Sequence, residues 1–199
     1  PKSLKGSETG KQIKLEEVAI GQTGLLLTKG PGMMLGYHNY ESETNKVFVY
    51  DQYGNKWYNT GDLVKRTRHA NKETAFNGRL KRNFVCGCAN IYPEEIESLL
   101  TSMPEIKEIV VTKVADEKYQ FLPSYHICLE YPCNTEELKN KIEVFIENAL
   151  GAFALPGYIE FTTTPLPRTS NGKLNAILLE KNDNKKLQNN NLLLTRKVY

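Results

Sequence analysis

The sequence is short of the features that mark several large functional classes. Cysteine is scarce: Cys86, Cys88, Cys128 and Cys133 are the only four in 199 residues. That is too few for the disulfide scaffold of a small secreted domain. Cys86-x-Cys88 also has no second pair or histidine beside it to complete a zinc site, so the residues point to no metal centre. Reduced thiols in the cytoplasm are the expectation. A charge excess is lacking too, since 26 Lys and Arg against 23 Asp and Glu leave only +3, which is no broad footprint for nucleic acid. No apolar run approaches the roughly 20 residues of a membrane span, and no signal-like segment is present. An initiating methionine is also missing, Pro1-Lys2-Ser3 standing first, so the sequence reads as a piece of something longer.

What is present is enough apolar material, 40%, for one large or two small cores. Its pattern changes part-way along. Gly24 to Thr28, Met33 to Tyr37, Asn45 to Tyr50 and Lys56 to Tyr58 read as short strands, with turns at Lys29-Gly30-Pro31-Gly32 and at Asp51 to Asn55. After residue 90 the period becomes helical. Pro93 starts a helix with Glu94 and Glu95 at its positive end. Ile106 to Val114 and Pro123 to Leu129 are the next strands. Leu138, Ile142, Phe145, Ile146 and Leu150 form the apolar stripe of a helix capped near Thr135 and ended at Gly151. Tyr158 to Thr162 is a last strand, and Asn182 to Asn191 reads as a frayed polar tail. The fold class is α+β. A strand-rich, partial-barrel segment (1–80) precedes a compact α+β domain (81–181), in which helices cover one face of a three-stranded sheet, and a polar tail (182–199) follows.

Between these two patterns, residues 76–97 read as a hinge. Asn77-Gly78 is a turn pair, and Arg79, Lys81 and Arg82 set three cations beside it. Such a turn invites an anion, though a solvated hairpin tip has the same composition. Two further places carry chemistry. Gly61-Asp62 presents a carboxylate at a strand end, able to accept two hydroxyl hydrogen bonds at once, as vicinal ribose hydroxyls would offer; aspartate also simply ends turns. Pro167-Arg168-Thr169-Ser170-Asn171-Gly172-Lys173 is a rigid entry followed by a turn that holds out one lysine. An ammonium attracts a phosphate at 4 Å by only about 1 kcal/mol in water, and by several times more once water is excluded. Lys65, Arg66, Arg68 and Lys72 read as a solvated face.

In chain order the motifs are Gly30-Pro31…Met34…Gly36-Tyr37, Trp57…Thr60-Gly61-Asp62, Phe76…Gly78-Arg79…Lys81, Pro93…Glu95-Ile96-Glu97 and Pro167-Arg168-Thr169…Gly172-Lys173. The set resembles the adenylate-forming (AMP-binding) enzymes: acyl- and aryl-CoA synthetases, peptide-synthetase adenylation domains, D-alanine carrier ligases and luciferases. It spans nearly all of residues 18–180. The resemblance implies the end of a large N-terminal domain followed by a whole C-terminal lid. It also implies ATP with Mg2+, a small carboxylic acid substrate, and an acceptor thiol on CoA or on the phosphopantetheine arm of a carrier protein. By position, Asp62 is similar to the carboxylate that holds the ATP ribose, and Arg79 to the cation near that ribose and phosphate. Lys81 falls at the hinge. Lys173 corresponds to the lysine that enters the active site while the acid attacks the α-phosphate. Gly87 and Cys88 lie in the loop that the thiol arm passes in the second half-reaction.

Two departures from the family pattern concern that second step: Cys88 stands where glycine is usual, and Ala154 where a lysine usually precedes Leu155-Pro156. The family's Ser/Thr/Gly-rich phosphate loop and its acidic magnesium ligand, both supplied by the N-terminal domain, are absent. These 199 residues alone are therefore expected to make no acyl-adenylate. Two alternatives are a non-catalytic binding or regulatory module that keeps the lid fold, and the adenylation domain of a peptide synthetase.

Overall fold

In a computed structural model that describes residues 12–67 and 74–188, the chain divides between Lys81 and Arg82 into two units. The sheet of the first unit has five strands: β1 (Gln12–Ile13), β2 (Thr23–Thr28), β3 (Phe48–Asp51), β4 (Lys56–Arg66) and β5 (Thr74–Arg79). β4 is its spine. One edge pairs with β2, and the other pairs first with β3 at residues 56–58 and then with β5 at residues 62–66. The β3–β4 hairpin is organised by Asp51. Its carboxylate accepts the backbone N–H of Tyr53 and Asn55, the Asn55 amide and the Trp57 indole at 2.8 to 3.1 Å.

Several local expectations change. Glu41–Val47 form a helix, α1, where a strand from Asn45 was expected. Glu41 and Glu43 favour its N-terminus, the Thr44 hydroxyl donates to the Tyr40 carbonyl at 2.8 Å, and strand burial begins only at Phe48. Met33 to Tyr37 form no strand. Gly36 instead packs against α1, where an added Cβ would lie 2.8 Å from Thr44. Asn77-Gly78 is a bulge inside β5 rather than a turn, the two residues standing opposite Leu63 alone of β4. Arg66 is not a solvated cation, since it donates to the Val18 carbonyl at 2.9 Å. Arg68 and Lys72 lie outside the described residues.

The second unit opens with a hairpin of β6 (Phe84–Cys86) and β7 (Ala89–Ile91). It continues through α2 (Pro93–Leu100), β8 (Ile106–Asp116), β9 (Gln120–Leu129), α3 (Thr135–Leu150), β10 (Tyr158–Thr162) and α4 (Ala176–Gln188). The three-stranded sheet has the order β10-β9-β8, with β9 antiparallel to β8 and parallel to β10. Asn134, rather than Thr135, caps α3, its side chain accepting from the N–H of Glu136 and Glu137.

Central position explains why β9 is buried without a break from Leu122 to Leu129. Ile109, Val111, Tyr125 and Ile127 pack with Ile96 and Leu100 of α2 and with Leu138, Ile142 and Ile146 of α3. The alternate residues Val110 and Cys128 pack on the other side with Leu166 and with Leu179 of α4. The sheet is therefore covered on both faces, and the polar tail read from Asn182 is helix as far as Gln188. Only Leu179 and Asp183 of α4 are buried, too sparse an apolar stripe to betray the helix. No helix among the described residues is long and apolar enough to cross a membrane.

Candidate functional site

Asp62 does not end its strand. It sits inside β4 between two irregularities, one in the pairing of β4 with β2 and one opposite Asn77-Gly78. Gly61 (φ +73°) and Gly78 (φ +110°) take backbone conformations that other residues resist. Side chains stand in for ladder bonds there: Asn59 accepts the Gly61 N–H, and the Thr60 hydroxyl accepts the Asp62 N–H and donates to the Leu26 carbonyl. Bulges of this kind re-aim a side chain. The result brings Asp62 directly opposite Arg79, with Arg79 Nε 2.9 Å from Asp62 Oδ1. That oxygen receives no hydrogen bond among the described residues, so the contact is an ion pair whose N–H is not aimed at it. The oxygen is itself buried, so the 23% exposure of the Asp62 side chain lies on its other atoms. Tyr58 lies nearby, its hydroxyl pKa raised by a hydrogen bond with Tyr37, by burial, and by the Tyr37 and Asp62 charges. Residues from three separate motifs thus converge here.

Lys81 is exposed, and Arg82, next to it, is held fast. Its guanidinium pairs with Glu97 at 2.6 Å and Glu94 at 3.2 Å and donates to the Val111 carbonyl at 3.0 Å, while Glu97 accepts the Val111 N–H at 2.8 Å. Burial opposes the Arg82 charge, but the two glutamates raise its pKa. The second unit therefore begins rigidly at Arg82.

Gly87 and Cys88 form the two-residue turn of the β6–β7 hairpin. Gly87 has φ +60°, and a Cβ there would lie 3.0 Å from both Tyr119 and Phe153, so position 87 is the place that requires glycine. Cys88 is exposed. Ala154 is buried at 3% exposure, and its carbonyl accepts the Tyr125 hydroxyl at 2.5 Å.

Lys173 stands on a closed loop. Arg168 and Leu174 form a β-bridge, the Lys173 carbonyl accepts the Thr169 N–H at 2.8 Å, and the Thr169 carbonyl accepts the Gly172 N–H at 2.9 Å. The lysine side chain is exposed. Asp62 and Arg79 are thus brought together in the first unit, while Gly87, Cys88 and Lys173 occupy two loops of the second.

Residues 95–173 match the family model described as "AMP-binding enzyme C-terminal domain". The second unit is an AMP-binding enzyme C-terminal domain. The chain is 30% identical over 174 residues to the mitochondrial medium-chain acyl-CoA ligase of Danio rerio, covering 86% of this chain and 27% of that protein. It is 30% identical over 169 residues to the 2-succinylbenzoate–CoA ligase of Listeria monocytogenes, covering 83% and 33%. Among solved structures, the o-succinylbenzoate CoA synthetase of Bacillus subtilis, in complex with its acyl-adenylate intermediate, matches with a TM-score of 0.69 at 28% identity, over 85% of this chain and 33% of that one. An amide bond synthetase from Marinactinospora thermotolerans shares the fold at TM-score 0.71 and 20% identity, over the same shares. The chain therefore spans about a third or less of the length of these relatives, and those relatives are acyl- and aryl-CoA ligases and adenylate-forming enzymes.

The AMP-binding C-terminal domain also contains a buried polar cluster that sequence reading missed. Asp183, without exposure, accepts from Thr112 and Ser124 and lies 2.9 Å from His126 Nε2. Glu160 faces the other ring nitrogen at 3.4 Å and holds Lys186 through both oxygens at 3.0 Å. Among the described residues His126, Glu160 and Asp183 are the one donor set close enough for a metal ion. They do not fit Mg2+, which takes oxygen ligands and keeps its waters: one donor is an imidazole, and an ammonium already occupies Glu160. No signal in the sequence links positions 126, 160 and 183. Spaced polar residues in an apolar strand (Thr112, Ser124, His126) were the only hint.

Proposed function

We propose that the chain is the C-terminal portion of an ATP-dependent acid–thiol ligase, one that activates a small carboxylic acid as acyl-AMP and passes the acyl group to the thiol of CoA or of a phosphopantetheine carrier. The observation that carries this reading is Asp62, held between two bulges opposite Arg79 with part of its side chain open to solvent, in a chain whose relatives are acyl-CoA ligases. Asp62 would accept the ribose hydroxyls of ATP, and Arg79 would offset phosphate charge beside them.

In the first half-reaction a carboxylate oxygen bonds to the α-phosphorus and pyrophosphate leaves. Two anions meet, and charge grows on the phosphoryl oxygens. Lys173 supplies the cation that offsets it. In the second half-reaction the acceptor sulfur bonds to the acyl carbon and AMP leaves. Gly87 and Cys88 border the path of that thiol, and Lys81, beside the anchored Arg82, is the pivot between the two steps. The free thiols suit a reducing compartment such as the cytoplasm. No step is assigned to magnesium, because the residues present do not fit it.

In the complete ligase, Lys173→Ala should lower acyl-adenylate formation about 10²- to 10³-fold and spare thiolysis of preformed adenylate. The isolated 199 residues should catalyse no carboxylate-dependent pyrophosphate exchange. A Lys173→Ala enzyme that adenylates at the wild-type rate would overturn the assignment in favour of a binding module that keeps the lid fold.

A further inference from the structure

We propose that Arg168 is a positioning residue for Lys173, with Glu108 of β8 as the fixed end of the brace. The proposal rests on the reading of Lys173 as the adenylation lysine. The loop carrying Lys173 is closed upon itself by the Thr169–Lys173 and Gly172–Thr169 hydrogen bonds, and at its base the Asn175 N–H donates to the Pro167 carbonyl at 2.8 Å. A loop closed in this way keeps its own shape but can still swing as a body about its two stems.

Arg168 opposes that swing. One arm of its guanidinium donates from Nη1 to the Gly172 carbonyl at 2.8 Å, on the residue next to Lys173. The other arm pairs from Nη2 with Glu108 Oε1. Glu108 is itself immobilised. Its side chain is only 14% exposed, it stands on the long β8–β9 ladder, and its second oxygen accepts the Leu166 N–H at 3.1 Å. The sheet, the entry to the loop and the residue before Lys173 are thus joined through one planar fork. A lysine at 168 could reach Glu108, but as a point charge it could not hold both partners in a fixed geometry. The Lys173 ammonium has no hydrogen-bond or ion-pair partner of its own among the described residues. Its placement therefore depends on the backbone that Arg168 holds, and a displacement of about 1 Å at a reacting centre costs on the order of 10²-fold in rate.

The test compares Arg168→Gln and Arg168→Lys in the complete ligase and in the 199-residue chain. In the ligase, Arg168→Gln should lower kcat for adenylation about 10- to 100-fold, leave KM for ATP and thiolysis of preformed adenylate within about twofold, and be partly rescued by lysine. In the 199-residue chain, amide exchange at Thr169 and Gly172 should quicken about tenfold or more while the β8 and β9 amides keep their rates. This second readout needs no catalysis and applies to the milder Arg168→Lys variant should Arg168→Gln fail to fold. Adenylation within about twofold of wild type, an equal loss in both half-reactions, or unchanged exchange in the loop would each overturn the proposal. If Lys173→Ala spares adenylation, the catalytic reading of Lys173 falls instead, and the exchange rates still decide whether Arg168 holds the loop.

Discussion

Two aspartates of the first unit show how the same side chain takes different work from its surroundings. Asp51 is buried, which opposes its charge. The Asn55 side chain, the Trp57 indole and the backbone N–H groups of Asn55 and Tyr53 more than offset that cost and hold the carboxyl at about 2. An unperturbed aspartate titrates near 4. Because the folded-state value is depressed, the stabilisation is complete above about pH 4 and is lost as pH falls from there toward 2. Trp57 is the single tryptophan and bonds to Asp51 directly, so its fluorescence reports the hairpin. Asp51→Asn should lower the thermal midpoint seen by Trp57 at pH 7 and flatten its decline between about pH 4 and 2; superimposable wild-type and variant curves at pH 7 would refute this account. Asp62, in contrast, keeps an oxygen without a donor. Asp62 is legible in the sequence because it follows a glycine in a recognisable motif. Asp51 reads there as an ordinary turn residue, since the four donors that distinguish it become neighbours only once the hairpin closes.

Strands and helices were legible where apolar spacing carried the signal: α2, α3, β8, β9 and β10 all lie close to where periodicity puts them. Elements made by polar contacts were not. α4 is fixed by a buried carboxylate, Asp183, to two hydroxyls and a histidine on the sheet, an arrangement that hydropathy reads as tail. Asn77-Gly78 has turn chemistry, yet pairing with β4 on either side turns it into a bulge. Removing one partner of a buried charged network typically costs about 3–5 kcal/mol. Asp183→Ala should therefore destabilise the second unit by about that amount in urea unfolding and release α4 to amide exchange ahead of the β8–β9 hairpin. A loss below about 1 kcal/mol would mean the network holds nothing that a simple surface helix would not.

For the molecule as a whole, the order of five short motifs over residues 18–180 carried more information than any one of them, because each marks a place where backbone shape or charge is constrained. The sequence could not show what fastens those places. Glu108, His126 and Asp183 lie far from their partners along the chain, and their types alone predict nothing about pairing. The clamp of Arg82 and Glu97 on Val111 has one more effect, of a colloidal kind. β8 is an outer strand of its sheet, and the clamp occupies both the N–H and the carbonyl of a residue midway along it. A foreign strand seeking to add there meets groups already taken, in a protein whose near-neutral charge gives little mutual repulsion. Arg82→Ala should expose that margin, and concentrated solutions should then scatter light through ordered self-association while the wild type stays clear.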